Sequence, residues 1–289
     1  MFAKFEEKQY EIFFNTELDR LTDISYPIGQ VQEGYLGFDS SAFSSNARLW
    51  RWVGHPYWYY PEFLGVDLLD IAQLLENDLT KFIDRLPPIK ANLLFQFKRP
   101  EYISSPRGSE WHHWNRTYYR YSIDQDQHQL LSTIDTAFPT RLLTLYAAPA
   151  FHTVQDLVAL KMSRQIISHS NFRRSSELNG HSRNTFIQQG THSVACSEPR
   201  ILENFDLLAA LENVGAADNT SPTDETNRQF IINFRRRISA IVSEDSIYGV
   251  PFRQVIQALP SLDNYQLLYS FLVMANFRQL TSIQWLIKL

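Results

Sequence analysis

The chain holds a single cysteine, Cys196, among 289 residues. An intramolecular disulfide is therefore excluded, and a thiolate-rich zinc centre is disfavoured. No apolar run approaches the roughly 18 residues needed to cross a bilayer. The stretch from Met1 to Leu21 mixes charged and aromatic side chains and has no hydrophobic segment of the kind found in secretory signals. The expected setting is cytoplasmic, with no membrane partner. Neither sign of charge dominates, since 27 Lys and Arg stand against 31 Asp and Glu, a net charge of -4. Binding to a polyanion would need a local basic surface. Glycine is scarce, at 10 residues, and Gly180 and Gly190 form no phosphate-cradling loop. Gly-x-Ser-x-Gly and His-Glu-x-x-His patterns are absent, as is any internal repeat.

Aromatic residues are plentiful, with 20 Phe, 14 Tyr and 6 Trp, and they gather between positions 50 and 122. Hydrophobic residues make up 44% of the chain and charged residues 20%, enough apolar material for a sizeable core. Phe5 to Leu21 has helical period, with Tyr10, Phe13, Phe14, Leu18 and Leu21 on one stripe. A strand or hairpin follows over Val31 to Phe43. An irregular aromatic segment from Arg48 to Pro61 comes next. Val66 to Leu86 reads as an amphipathic helix stopped by Pro87-Pro88. Beyond it, strands are expected over Thr117 to Ile123 and Leu142 to Ala148, and helices over Gln127 to Phe138 and Val154 to Ile167. Gly180 to Val194 reads as loop with short strands, and Ala216 to Thr226 as a linker or exposed loop. Asn227 to Val242, Phe252 to Leu259 and Leu262 to Leu280 all have helical patterns. The expected division is an α/β portion over 1–200, with 66–88 as a helical insertion, and a helical C-terminal region over 201–289.

The most informative stretch runs from Ala91 to Pro100. With a strand period of two, Leu93, Phe95 and Phe97 point one way and Leu94, Gln96 and Lys98 the other. Desolvating an ammonium costs several kcal/mol unless it is paired, so Gln96 and Lys98 are expected at a polar cleft. The plainer reading is an edge strand with a solvent-facing lysine. Gly37-Phe38-Asp39 precedes this strand. Its plainer reading is a turn, because Asp-Ser-Ser favours one.

An acid on one strand and a Gln-x-Lys triplet on its neighbour, with a helix before and a helix and strand after, resembles the PD-(D/E)xK nuclease superfamily. The Gln96-Phe97-Lys98 variant looks like that of the Mrr-like restriction endonucleases. The resemblance covers roughly residues 5 to 170. It implies a restriction-endonuclease-like fold, a central mixed sheet flanked by helices. It also implies Mg²⁺ or Mn²⁺ held by Asp39 and Gln96, with Lys98 at the scissile phosphate and a helix glutamate assisting. On the helical wheel Glu17 lies inside the apolar stripe and Glu7 falls near Phe14 and Leu18. Glu11 sits at the stripe's edge, and its Gln9-Tyr10-Glu11 setting resembles the Phe-Glu of the family, which favours Glu11 over Glu17. The chain departs from the family in the long stretch between Asp39 and Gln96, where a short hairpin is usual.

The implied activity is metal-dependent DNA cleavage, as in restriction or anti-phage defence. Arg107, Trp111, Arg116 and Arg120 have the mixture of cations and rings that tracks phosphates and stacks bases. Trp111-His112-His113-Trp114 has a structural reading as well. Arg235-Arg236-Arg237 fan over about 200° of a helix and form no tight patch. Two other classes stay open. One is a non-catalytic nucleic-acid or protein-binding module with a nuclease-like fold. The other is an assembly subunit that uses residues 50–62, or an oligomer formed through the helical C-terminal region.

Overall fold

A computed structural model describes residues 1–25, 68–187, 193–196, 199–214, 225–245, 247–259 and 261–289. The expected strand or hairpin at Val31 to Phe43, Asp39 with it, and the segment Arg48 to Pro61 lie outside the described residues. In chain order the elements begin with α1 (Glu7–Leu21), β1 (Ile24–Ser25), α2 (Leu68–Ile83), β2 (Ala91–Phe97) and β3 (Glu101–Ile103). Next come α3 (Trp111–Trp114), β4 (Tyr118–Ser122), α4 (Gln125–Ala137), β5 (Leu142–Pro149) and α5 (Val154–Ser163). Strands β6 (Ser170–Arg174), β7 (Arg183–Phe186), β8 (Ser193–Ala195) and β9 (Arg200–Leu202) follow. The chain closes with α6 (Leu207–Asn213), α7 (Asn227–Asp245), α8 (Gly249–Ala258), α9 (Gln266–Thr281) and β10 (Ile283–Lys288).

The chain divides into two compact units. One comprises Met1–Ser25, Lys90–Thr223 and Thr281–Leu289, and the other Tyr26–Ile89 and Asp224–Leu280. This differs from the division the sequence suggests. The helix expected as an insertion groups with the C-terminal helices, and the last strand returns to the α/β unit. The C-terminal region is thus not wholly helical.

The α/β unit contains two sheets. The first is mixed, in the order β1-β10-β2-β5-β6, with β2 parallel to β5 and antiparallel to β10. The parallel pair is joined by a crossover that includes α4, as parallel strands require. The second sheet is an antiparallel run, β3-β4-β7-β8-β9. Only its short strands near Gly180 to Val194 and its β4 are visible as patterns in the sequence.

Helix α1 covers the Phe95/Phe97 face of the first sheet. Phe14 lies 5.4 Å from Phe95 and 5.2 Å from Phe97 between ring centroids, and Tyr10 meets Phe97 edge-on at 5.7 Å. These side chains are fully buried. Helix α4 lies on the opposite face and buries Gln127, His128, Leu130, Leu131 and Ile134. All of β2 is buried. Across its antiparallel edge the Trp285 indole N–H donates to Asn92 Oδ1 at 2.8 Å, a diagonal pair that pins the register.

In the helical unit α2 ends before Pro87-Pro88, and Asn227 clamps that end. Its amide nitrogen donates to the carbonyls of Ile83, Leu86 and Pro87, and its oxygen accepts from the Ile89 N–H at 2.9 Å. The Glu76 carboxylate caps α9 by accepting from the Leu267 and Leu268 N–H groups. Arg228 pairs with Asp84. Arg235 is buried over the Tyr269 ring at 4.8 Å, whereas Arg236 and Arg237 are exposed. The basic run is therefore split between core and surface.

Two stability outcomes follow. Phe14→Ala should lower the unfolding free energy by about 3–5 kcal/mol in denaturant titration. Asn92→Leu should cost about 1–3 kcal/mol by removing the buried acceptor of the Trp285 indole N–H.

Candidate functional site

The site is built where β2 ends. The Lys98 N–H continues the ladder by donating to Ala147 O on β5 at 2.9 Å. Arg99 then turns back toward the N-terminus. Its Nε and Nη2 donate to Ala3 O at 3.0 and 2.6 Å, and Nη1 lies 3.0 Å from both Glu6 oxygens. Glu6 is the N-cap of α1, and its backbone N–H donates to Gln9 Oε1 at 2.9 Å. This clasp sets the first turn of α1, with Glu7, at the C-terminal edge of β2. In open α/β sheets that edge of the parallel strands is where ligands bind.

Glu7 and Lys98 act on each other. Burial pushes the Lys98 ammonium below its ordinary range, opposed by the charges of Glu7 and then Asp124. Burial pushes the Glu7 carboxyl upward, opposed by the charge of Lys98 and a hydrogen bond from the Arg99 backbone N–H. Lys98 Nζ also donates to Gln127 Oε1 at 2.8 Å, and Gln127 Nε2 donates to Thr281 O at 2.6 Å. Asp124, the N-cap of α4, accepts from the Gln127 N–H at 2.9 Å. One turn of α4 thus supplies both an acid and an amide to the lysine.

Gln96 is 2% exposed. Its Nε2 donates to Phe97 O at 3.0 Å, while its Oε1 has no hydrogen-bond partner. Gln96 is therefore enclosed rather than facing an open cleft. Beside it in register stand Tyr146 on β5 and Ile283 on β10. The place next to Gln96-x-Lys98 that the resemblance gives to a strand with Asp39 is taken by β10. That strand, Ile-Gln-Trp-Leu-Ile-Lys, carries no acid.

Among the helix glutamates, Glu7 is the one whose charge acts on Lys98. Glu11 is buried and lies 3.4 Å from Lys8 Nζ. Glu17 accepts from the Ile166 and Ile167 N–H groups at 2.8 and 3.2 Å and so holds the turn before β6. The signal for Glu7 was its wheel position near Phe14 and Leu18, which reads equally well as packing. Gln127 and Asp124 carried only the signature of a helix start. Among the described residues, no group of three or more His, Cys, Asp and Glu is placed to hold a metal ion.

The four residues expected at nucleic acid have different surroundings. Arg107 and Arg116 are exposed. Trp111 packs on the Trp114/Tyr118/Val194 cluster. Arg120 is held by Glu101 at 2.5 Å and Glu110 at 3.3 Å. The buried Glu110 carboxylate also accepts from Tyr118 Oη at 2.9 Å and Arg183 Nη1 at 2.8 Å. The Trp111 to Trp114 segment forms one helical turn, with the His112 and His113 rings 3.8 Å apart.

No family model, no curated protein and no solved structure matches the chain significantly. Among the described residues, no helix is long and apolar enough to cross a membrane.

Glu110 supplies a pH test of the Arg120 cluster. Burial pushes its carboxyl upward, but hydrogen bonds from Ser109 and Tyr118 and the charge of Arg120 outweigh it, so it lies below its ordinary 4.5. A depressed carboxyl contributes stability above its unfolded-state pKa and loses it as pH falls through the folded one. Glu110→Gln should therefore lower the urea midpoint at neutral pH, with the gap to wild type closing as pH drops below 4.5.

Proposed function

We propose that the chain is a metal-dependent phosphodiesterase acting on DNA, with a restriction-endonuclease-like core formed by α1, β2, α4 and β5. The observation that carries this reading is the Gln96-x-Lys98 end of β2, where the Lys98 ammonium is held by Gln127 on α4 and acted on by the charge of Glu7 on α1. The element order around them, helix, Gln-x-Lys strand, crossover helix, parallel strand, supports the same reading.

Mg²⁺ takes oxygen ligands and keeps several of its waters. The unpartnered Gln96 Oε1 fits that preference in kind, and the resemblance would add Asp39, which lies outside the described residues. When bound, the ion would supply Lewis-acid assistance to phosphate-ester hydrolysis. The Lys98 ammonium, held by Gln127 with protons to spare, would offset charge on a phosphate oxygen. Glu7 would keep that ammonium charged against the cost of burial.

A second reading is favoured by one observation. Strand β10 carries no acid beside Gln96, as a binding module that has kept the core without its catalytic acid would have it. In that reading Lys98 contacts phosphate and no metal is held.

Two measurements separate them. The enzyme should gain thermal stability with millimolar Mg²⁺ or Mn²⁺, because an ion that binds the native state stabilises it. It should also cut plasmid DNA, and Lys98→Ala, Asp39→Ala and Glu7→Gln should each lower cleavage, by roughly 10²-fold or more for Lys98→Ala. Metal-independent melting with no cleavage by the wild type would overturn the enzyme. DNA binding lost in Lys98→Ala would then support the module.

A further inference from the structure

The Lys98 ammonium has two supports. One is the Gln127 amide oxygen at 2.8 Å. The other is the face of the Tyr146 ring, whose centroid lies 5.6 Å from Nζ, within cation–π range. Tyr146 is fully buried and stands beside Gln96 in the β2–β5 register, on the same face of the sheet.

Two neighbours, His128 and Tyr121, fix that ring. Its hydroxyl lies 3.0 Å from His128 Nδ1. His128 Nε2 lies 3.0 Å from Asn179 Oδ1, which also accepts from Ser132 Oγ at 2.9 Å. An amide oxygen only accepts, so Nε2 carries the proton and Nδ1 accepts from the phenol. Tyr121 stacks on Tyr146 with centroids 6.0 Å apart and planes at 17°. Phenylalanine would fill almost the same space. The chain instead places a hydroxyl and an imidazole in the buried layer below the lysine, both of which must be hydrogen-bonded to be tolerated there, and the exposed Asn179 supplies the imidazole's acceptor.

We propose that Tyr146 is a positioning residue for Lys98, and that His128, steadied by Asn179, acts through Tyr146 by fixing the plane of its ring. The positioning stands on geometry alone. Its consequence for phosphate chemistry rests on the nuclease reading above. A lysine held on one side by an amide and below by a fixed ring has fewer directions in which to present its remaining protons to a phosphate oxygen.

Protons above an aromatic face are shifted upfield, so the Lys98 ε-methylene signal reads the geometry directly. It can be assigned by its loss in Lys98→Arg. Wild type should show one sharp upfield signal, and Tyr146→Leu should abolish the shift. Tyr146→Phe and His128→Ala cut the same hydrogen bond, so each should reduce the shift to a similar value. The double variant should reduce it no further. A wild-type signal in Tyr146→Leu would show that the ring does not hold the lysine. A wild-type signal in His128→Ala, or a larger change in the double variant than in Tyr146→Phe, would show that His128 does not act through Tyr146. Tyr146→Phe removes one oxygen atom and carries the test if His128→Ala fails to fold, with an unchanged shift counting against the proposal. In DNA cleavage, Tyr146→Phe and His128→Ala should lower kcat by the same factor, up to roughly 10²-fold, with KM unchanged. No cleavage by wild type would refute the nuclease reading and leave the spectroscopic test standing.

Discussion

Strand β2 has no free side. Strands β10 and β5 take its two edges, and α1 and α4 lie on its two faces. Any polar group on it must find partners within the protein, because an unmet buried group costs more than a typical hydrogen bond returns. Asn92 meets this demand with Trp285, and Lys98 with Gln127, Tyr146 and the charge of Glu7. Gln96 meets it only by half, since one of its two polar atoms stays unpartnered. Among the described residues of β2 that exception is confined to Gln96 Oε1.

The clasp formed by Arg99, Ala3 and Glu6 performs a separate task. It ties the end of β2 to the start of α1 through charge-assisted bonds, the stronger and more directional kind. The Glu7–Lys98 relation is thereby fixed by backbone placement as well as by attraction between the two charges. Attraction alone would be a weak guide to geometry for groups that water partly reaches.

The parts of this fold legible in the sequence are those where one face repeats. Helix α2 was visible from Leu68, Ile71, Leu75, Leu79 and Phe82, and β2 and β5 from their apolar runs. Strand β10 was not, because Ile283 to Lys288 directly follows an apolar helix and its pattern merges with that helix. Strands β3 and β9 of the second sheet were hidden for another reason. Strands of three residues are too short to show alternation. At the site, Gln96 and Lys98 stood out because they break an apolar run. Glu7, Gln127, His128 and Tyr146 broke no pattern, since each occupies a position where a helix or strand accepts its residue type. Their roles come from long-range contacts that no local window contains.

The pairing of β10 with β2 has a bearing on how the molecule is made. The central strand of the first sheet receives one neighbour, β5, soon after it is synthesised, but its other edge waits for β10, which is made after every other described element. Until then a mostly apolar strand with open hydrogen-bonding groups is available to any extended peptide. Closing so long a loop is also entropically slow. On a ribosome the α/β unit can therefore begin to form but cannot be completed until β10 has been made, and a holdase chaperone would meet it with β2 still uncovered.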